Sequence, residues 1–270
     1  MSTDDYILGT HDNEIARLAL QHRVWRPRML DAWRRAGITQ GQTVIDLGCG
    51  PGDASRDLAE IVGPQGHVIA VDRSARFLEH LRSNCTANRI SNVSPVESDV
   101  TALKWNQKPA DALWCRWVFS WLQNPDGAMN GIHAALKPGS PAIFHEYLDY
   151  ATWQLIPSDC HFDTFVNAVI DSTTKSGANI NSATFLPAML EHQGFEIVSL
   201  TPIVDVIAPS NFVWKWPAGF LRDYARTLVL TNQLSPEQAD KALAALSKAE
   251  LSASARMVTP IVLEIIARRR

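Results

Sequence analysis

Residues 44–60 read VIDLGCGPGDASRDLAE, an apolar run that stops at three alternating glycines and resumes as a helix-like pattern. A buried strand that turns directly into a helix commits the chain to a β-α unit, and repetition of that unit gives a parallel sheet. Gly48, Gly50 and Gly52 fall just past that first strand, at the carboxyl edge where open α/β sheets hold their ligands. Three glycines exceed what a strand-to-helix turn requires. Without Cβ atoms, a ligand can approach the backbone amides to contact distance and positive φ angles become accessible.

The rest of the chain repeats the unit. HVIAVD at residues 67–72 reads as a second strand, followed by a helix over 75–88 and a third strand around VSPVESD. ADALWCRWV (110–118) reads as a fourth strand, DGAMNGIHAAL as a helix and PAIFHEYL as a fifth strand. Ahead of them, residues 13–37 carry the apolar spacing of one or two amphipathic helices interrupted near Pro27. Behind them, SATFLPAMLEHQGF supplies a helix, EIVSLTPIVDVI a strand and residues 257–269 a closing strand. The pattern predicts an α/β chain with a doubly wound, Rossmann-like, seven-stranded, mostly parallel sheet. One domain over residues 1–270 is expected, with a helical leader (1–40), a ligand-binding core (41–150) and helical cap insertions at 151–181 and 208–255. The second insertion holds two helices, one opened by Ser235 as N-cap and Pro236 at its first position.

An acidic residue narrows the ligand. Asp72 ends the second strand, where a carboxylate accepts hydrogen bonds from ribose hydroxyls. The dinucleotide fingerprint is GxGxxG; here the pattern is GxGxG, and Asp53 stands where the last glycine would be. A carboxylate there repels pyrophosphate, so a nucleoside without one is implied and an oxidoreductase becomes the least favoured class. Lys+Arg 25 against Asp+Glu 28 leaves a net charge of −3, no global field to draw in nucleic acid or an anionic membrane. A small molecule is the expected partner, in a monomer or homodimer. The four cysteines show no CxxC spacing and the first residues lack an apolar signal core, so a reducing cytoplasm is the expected location.

GxGxG followed by an acid at the second strand's end resembles the class I S-adenosylmethionine-dependent methyltransferases of small-molecule type. The resemblance implies that the loop from Asp46 through Gly48, Gly50 and Gly52 wraps the methionine part. It also implies that Asp72, with Arg73 beside it, takes the ribose, and that Asp99 and Val100 in ESDV meet the adenine. Arg116 to Phe119 would lie near the methionine end. YILGTHDNEIARLALQHRVW is similar to the family's leader, in which Tyr6 and the first helix close over the cofactor. Arg17 or Gln21 would meet the methionine carboxylate; each reads equally well as a solvated or structural helix residue. The function so implied is methyl transfer to oxygen, nitrogen or carbon of a small molecule of secondary or cofactor metabolism, leaving S-adenosylhomocysteine. The same motifs fit a protein or RNA methyltransferase, or a protein that binds the cofactor without transferring methyl.

Methyl transfer from a sulfonium needs alignment and exclusion of water rather than a metal, and none is expected. A protonated acceptor needs a base, and HEYLDY at the end of the fifth strand is the place to look: His145 as base, Glu146 to orient the substrate. A buried hydrogen bond is the competing reading for both. His145, Glu146 and Asp149 would suit a divalent metal only with a carboxylate closing the fourth strand, which ends WCRWVF. Tyr150, Trp153 and Trp214 lie in or beside the insertions and are the candidate substrate wall, with packing of the cap as the alternative. Trp114 and Trp117 read as core.

Overall fold

Asp12 to Ala36 form one helix in the computed structural model, which describes residues 12–270. This helix, α1 (Asp12–Ala36), runs through Pro27 without a break, against the expected interruption. The bond that Pro27 cannot donate would go to the carbonyl of Arg23. Both residues are solvent-exposed, so water can satisfy that carbonyl, while Trp25, Met29, Ala32 and Trp33 stay buried and hold the helix on either side.

The β-α units follow in the expected order: β1 (Thr43–Leu47), α2 (Asp53–Val62), β2 (His67–Asp72), α3 (Ala75–Ala87), β3 (Val93–Glu97) and β4 (Ala112–Arg116). Next come α4 (Pro125–Ala135), β5 (Pro141–Asp149), β6 (Gln154–Ile156), α5 (Cys160–Lys175), α6 (Leu186–His192) and β7 (Phe195–Ile203). The chain closes with β8 (Val206–Ile207), α7 (Lys215–Leu230), α8 (Pro236–Glu250), β9 (Arg256–Val258) and β10 (Ile261–Arg269). The central sheet has the order β3-β2-β1-β4-β5-β10-β7, with β10 antiparallel to both neighbours and the other pairings parallel.

Burial on both faces explains the near-continuous apolar strands. Val44 of β1 and Ala112 and Trp114 of β4 pack with Met29, Trp33 and Leu58 from α1 and α2. The alternate residues Ile45, Leu47, Leu113 and Cys115 face the opposite layer, with Met129 and Ile132 of α4 and Leu190 of α6.

Two expected strands are split. The closing run divides into β9 and β10 around Thr259-Pro260, and the strand before the second insertion divides into β7 and β8. Proline has no amide to give a ladder, and the chain changes sheet there: β9 pairs with β6 and β8 in a separate antiparallel sheet of order β6-β9-β8. Both insertions build one further core with Trp25 of α1, in which Trp153, Phe162, Phe165, Trp214, Trp216 and Tyr224 are buried. Helix α8 opens on a capping box, Ser235 accepting from the Gln238 amide and the Gln238 side chain from the Ser235 amide, a device that contributes about 1 kcal/mol. Among the described residues, no helix is long and apolar enough to cross a membrane.

Candidate functional site

The strand order turns at β1, which connects outward to β2 on one side and has β4 on the other. Ligands of doubly wound sheets bind outside the carboxyl ends of the strands at such a point. A cleft of about 490 Å³ lies there, within the range of small-molecule sites.

Its first wall is the glycine loop. Gly48 and Gly52 have φ of 70° and 86°, but a Cβ on either would collide with protein, with Val118 and Leu81 respectively. Only Gly50, at φ 54°, opens onto free space; the nearest atom to its missing Cβ is Leu18 Cδ1 at 4.0 Å. Two of the three glycines are therefore there for helix and loop packing, and one leaves backbone bare at the cleft. Asp72 holds that backbone: its Oδ2 accepts from the Gly50 amide and its Oδ1 from the Ser74 amide, each at 2.8 Å. A carboxylate has about four lone-pair sites, so about two remain unused. Burial raises the Asp72 carboxyl above the usual range, while these two amides and Arg73 pull it back.

Asp46, at the floor, accepts from Ser55 Oγ at 2.5 Å, and burial pushes its carboxyl up to about 6. Asp99 caps a short helical turn, its Oδ1 taking the amide and hydroxyl of Thr101 at 2.8 Å each. Gln21, Arg73, Asp99, Val100 and Arg116 line the same cleft as Asp46, Gly48, Gly50 and Asp72. Tyr6 lies outside the described residues. Arg17 is off the cleft: it meets Glu14 at 2.6 and 2.7 Å and gives Nη1 to Gln21 Oε1 at 3.1 Å, steadying a residue that does line it. Gly52 backs the loop against Leu81, and Phe119 is fully buried, edge-on to Phe144 at 5.8 Å.

The residues expected to do chemistry are elsewhere. His145 is fully buried between the rings of Trp25 and Trp114, with Nε2 on Glu264 Oε2 at 3.1 Å. Burial lowers its proton affinity more than Glu264 restores it, and its place is the core between the two indoles rather than the cleft. Glu146 is fully buried as well. Its carboxylate accepts the amides of Val118, Phe119 and Ser120 at 2.8, 3.0 and 3.3 Å, and the hydroxyls of Ser120 and Ser182 at 2.8 and 3.0 Å. It pins the loop after β4 that forms the second wall of the cleft. Tyr150, Trp153 and Trp214 are interior to the insertion core, not on the cleft; Trp153 Nε1 points at Met257 Sδ and Trp214 Nε1 at Glu250.

The aromatic groups that do reach the cleft include Phe77, Trp114, Trp117 and Trp121. Trp117 sits just past the end of β4 at φ 53°, a left-handed conformation that costs an L-residue about 1–2 kcal/mol. Its amide bonds the His145 carbonyl at 3.0 Å, and its ring is stacked between Tyr147 and Trp216 at 5.4 and 5.6 Å. The residue is core, as read from the sequence, packed with the insertion cluster, and it also borders the cleft. Among the described residues, no cluster of three or more His, Cys, Asp or Glu side chains is arranged to hold a metal ion.

Residues 38–184 match the family described as "Methyltransferase domain". The chain is similar to the arsenite methyltransferase of Halobacterium salinarum, 27% identical over 72% of this chain and 46% of that protein. It is also similar to the 2-phytyl-1,4-naphtoquinone methyltransferase of a Nostoc species, 31% identical over 56% of this chain and 62% of that one. The chain thus spans about half to three-fifths of the length of these relatives. Among solved structures it resembles a phosphoethanolamine N-methyltransferase of Haemonchus contortus in complex with S-adenosylhomocysteine. The TM-score is 0.57 at 14% identity, covering 91% of this chain and 53% of that one, a likeness of fold.

Proposed function

Since the chain belongs to the methyltransferase domain family, we propose that it transfers a methyl group from S-adenosylmethionine to a small-molecule acceptor. The observation that carries this reading is the pairing of Gly50 with Asp72: one bare stretch of backbone held open by a carboxylate with lone pairs to spare. That arrangement suits a nucleoside whose vicinal hydroxyls need acceptors and whose bulk needs the missing Cβ. In this reading Asp72 takes the ribose hydroxyls with Arg73 alongside, Asp99 and Val100 border the adenine, and Asp46, Gln21 and the glycine loop hold the methionine end.

S-adenosylmethionine supplies an electrophilic methyl on a sulfonium. The protein's work is to align the acceptor with it and keep water out, and the walls after β4 fit that work. The relatives named for arsenite and a naphthoquinone support a small acceptor; secondary or cofactor metabolism in the cytoplasm is the setting proposed for it. Incubation of the protein with methyl-labelled S-adenosylmethionine and a small-molecule extract, read by mass spectrometry, tests this. A labelled metabolite made by the wild type and lost in Asp72→Ala is the expected result; label appearing only in protein or RNA would replace the small-molecule reading.

A further inference from the structure

The cleft has a cation where a base was expected. Arg116 ends β4 half-buried, and desolvation there outweighs the pull of Asp46 and Asp53 and lowers its guanidinium to about 10. Arg17 and Arg35 each meet a carboxylate. Arg116 meets none at ion-pair distance among the described residues: its nearest companions are Met29 Sδ at 3.9 Å and the rings of Trp117 and Trp114 at 5.1 and 6.0 Å. The ionisable groups facing it are Asp46 from β1, Asp53 and Asp57 from α2, and Tyr147 and His145 from β5. Asp46 is held by Ser55, Asp53 by Arg56, Asp57 by Arg26 and His22.

Position separates Arg116 from the nucleoside groups. Gly50 and Asp72 lie on the β1-β2 side of the switch point, whereas Arg116 pairs in register with His145 on the β4-β5 side, beside the Trp117-Tyr147-Trp216 stack. Residues 114–123, WCRWVFSWLQ, give that wall no carboxylate and no imidazole to remove a proton. A half-buried cation with no carboxylate in direct contact is incompletely compensated, and an anion placed beside it relieves the cost. Resting on the methyltransferase reading, we infer that Arg116 binds the acceptor as an oxyanion, a phenolate or its enolate equivalent, set against the indole wall. The acceptor's proton leaves to water on binding. In the transfer, a lone pair of the oxyanion, or of its conjugate carbon, forms the new bond to the methyl carbon. The sulfur–methyl bond breaks with its electron pair left on sulfur. A carbon acceptor would then lose its ring proton to water in rearomatising.

The test uses 4-nitrophenol, whose ionised form absorbs visible light, added to the protein saturated with S-adenosylhomocysteine. Wild type should bind the phenolate in preference to the uncharged 4-nitroanisole and lower the phenol's apparent pKa. Arg116→Gln should weaken phenolate binding by roughly tenfold to a hundredfold, the worth of a hydrogen bond to a charged group, and abolish the pKa shift. Arg116→Lys should recover part of both. S-adenosylhomocysteine affinity, measured by calorimetry, should stay within about twofold in both variants. The assignment is overturned if Arg116→Gln loses S-adenosylhomocysteine instead, which would put the guanidinium on the cofactor's carboxylate, or if wild type does not prefer the phenolate. Failure of the wild type itself to bind S-adenosylhomocysteine would overturn the underlying reading, and that control is read before any phenol is added.

Discussion

The two walls of the cleft are built on opposite plans. On the β1-β2 side, a loop shaped by glycines leaves its backbone bare and adds single carboxylates, Asp46, Asp72 and Asp99, each partly satisfied by protein and partly open. On the β4-β5 side the polar groups are used up internally: Glu146 accepts five hydrogen bonds and His145 is closed off by Glu264. What faces the cleft there is mainly indole and one guanidinium, with the uncharged amides of Gln123 and Asn124 at the rim. One wall can recognise a ligand by hydrogen bonds, while the other offers shape and charge, so variation in the second changes the acceptor without disturbing the first.

Substitutions can break this contrast. The largest effect should come from Glu146→Leu, which leaves three buried amides without an acceptor. Each unsatisfied group costs about 1–3 kcal/mol, so a loss of at least about 3 kcal/mol in denaturant unfolding is expected, and a stable variant with only activity lost would return Glu146 to the substrate site. Asp72→Ala comes next. It should weaken S-adenosylhomocysteine binding in calorimetry by about 2–4 kcal/mol, the cost of charge-assisted hydrogen bonds; unchanged affinity would remove Asp72 from the ribose.

A smaller pair sharpens the glycine loop. Gly50→Ala should cost about 1–2 kcal/mol in stability, from its positive φ alone, and lose cofactor affinity. Gly52→Ala should destabilise further because its methyl meets Leu81. Equal stability losses in the two would mean that Gly50 is packed like its neighbour.

The smallest effect is in pH. Burial lowers the His145 pKa below its unfolded value of about 6.5, so the unfolded chain binds the extra proton. Stability from this group is complete above about 6.5 and falls as pH drops through the window below it, by at most about 1.4 kcal/mol per pH unit. Asp46, raised to about 6, acts in the opposite sense between its unfolded and folded values. The measurement is therefore the difference in slope between wild type and His145→Gln, and identical slopes would put His145 in contact with solvent.

Much of the fold was legible because apolar periodicity and glycine turns are local signals. The β-α alternation, the switch point and the Ser235 cap could all be read from neighbours in sequence. Asp72 and Asp99 reach the cleft because topology alone sends strand ends there. The acceptor side was not legible for the converse reason. Whether Glu146 faces solvent or three amides depends on how a loop 26 to 28 residues away in sequence folds back on it, and Trp153 and Trp117 look alike until their partners are known. Arg116 was visible, but the absence of a carboxylate at ion-pair distance from it among the described residues was a property of the packed structure.

The junction at Thr259-Pro260 bears on how such a chain can be re-engineered. Strands β9 and β10 are consecutive, yet one belongs to the small sheet under the insertions and the other to the central sheet. The insertions are therefore not a detachable module held by two loops. A graft that imported α5, α7 and α8 from a relative would have to bring β6, β8 and β9 with them and rejoin the chain at Pro260, the first point at which the host's own strand resumes.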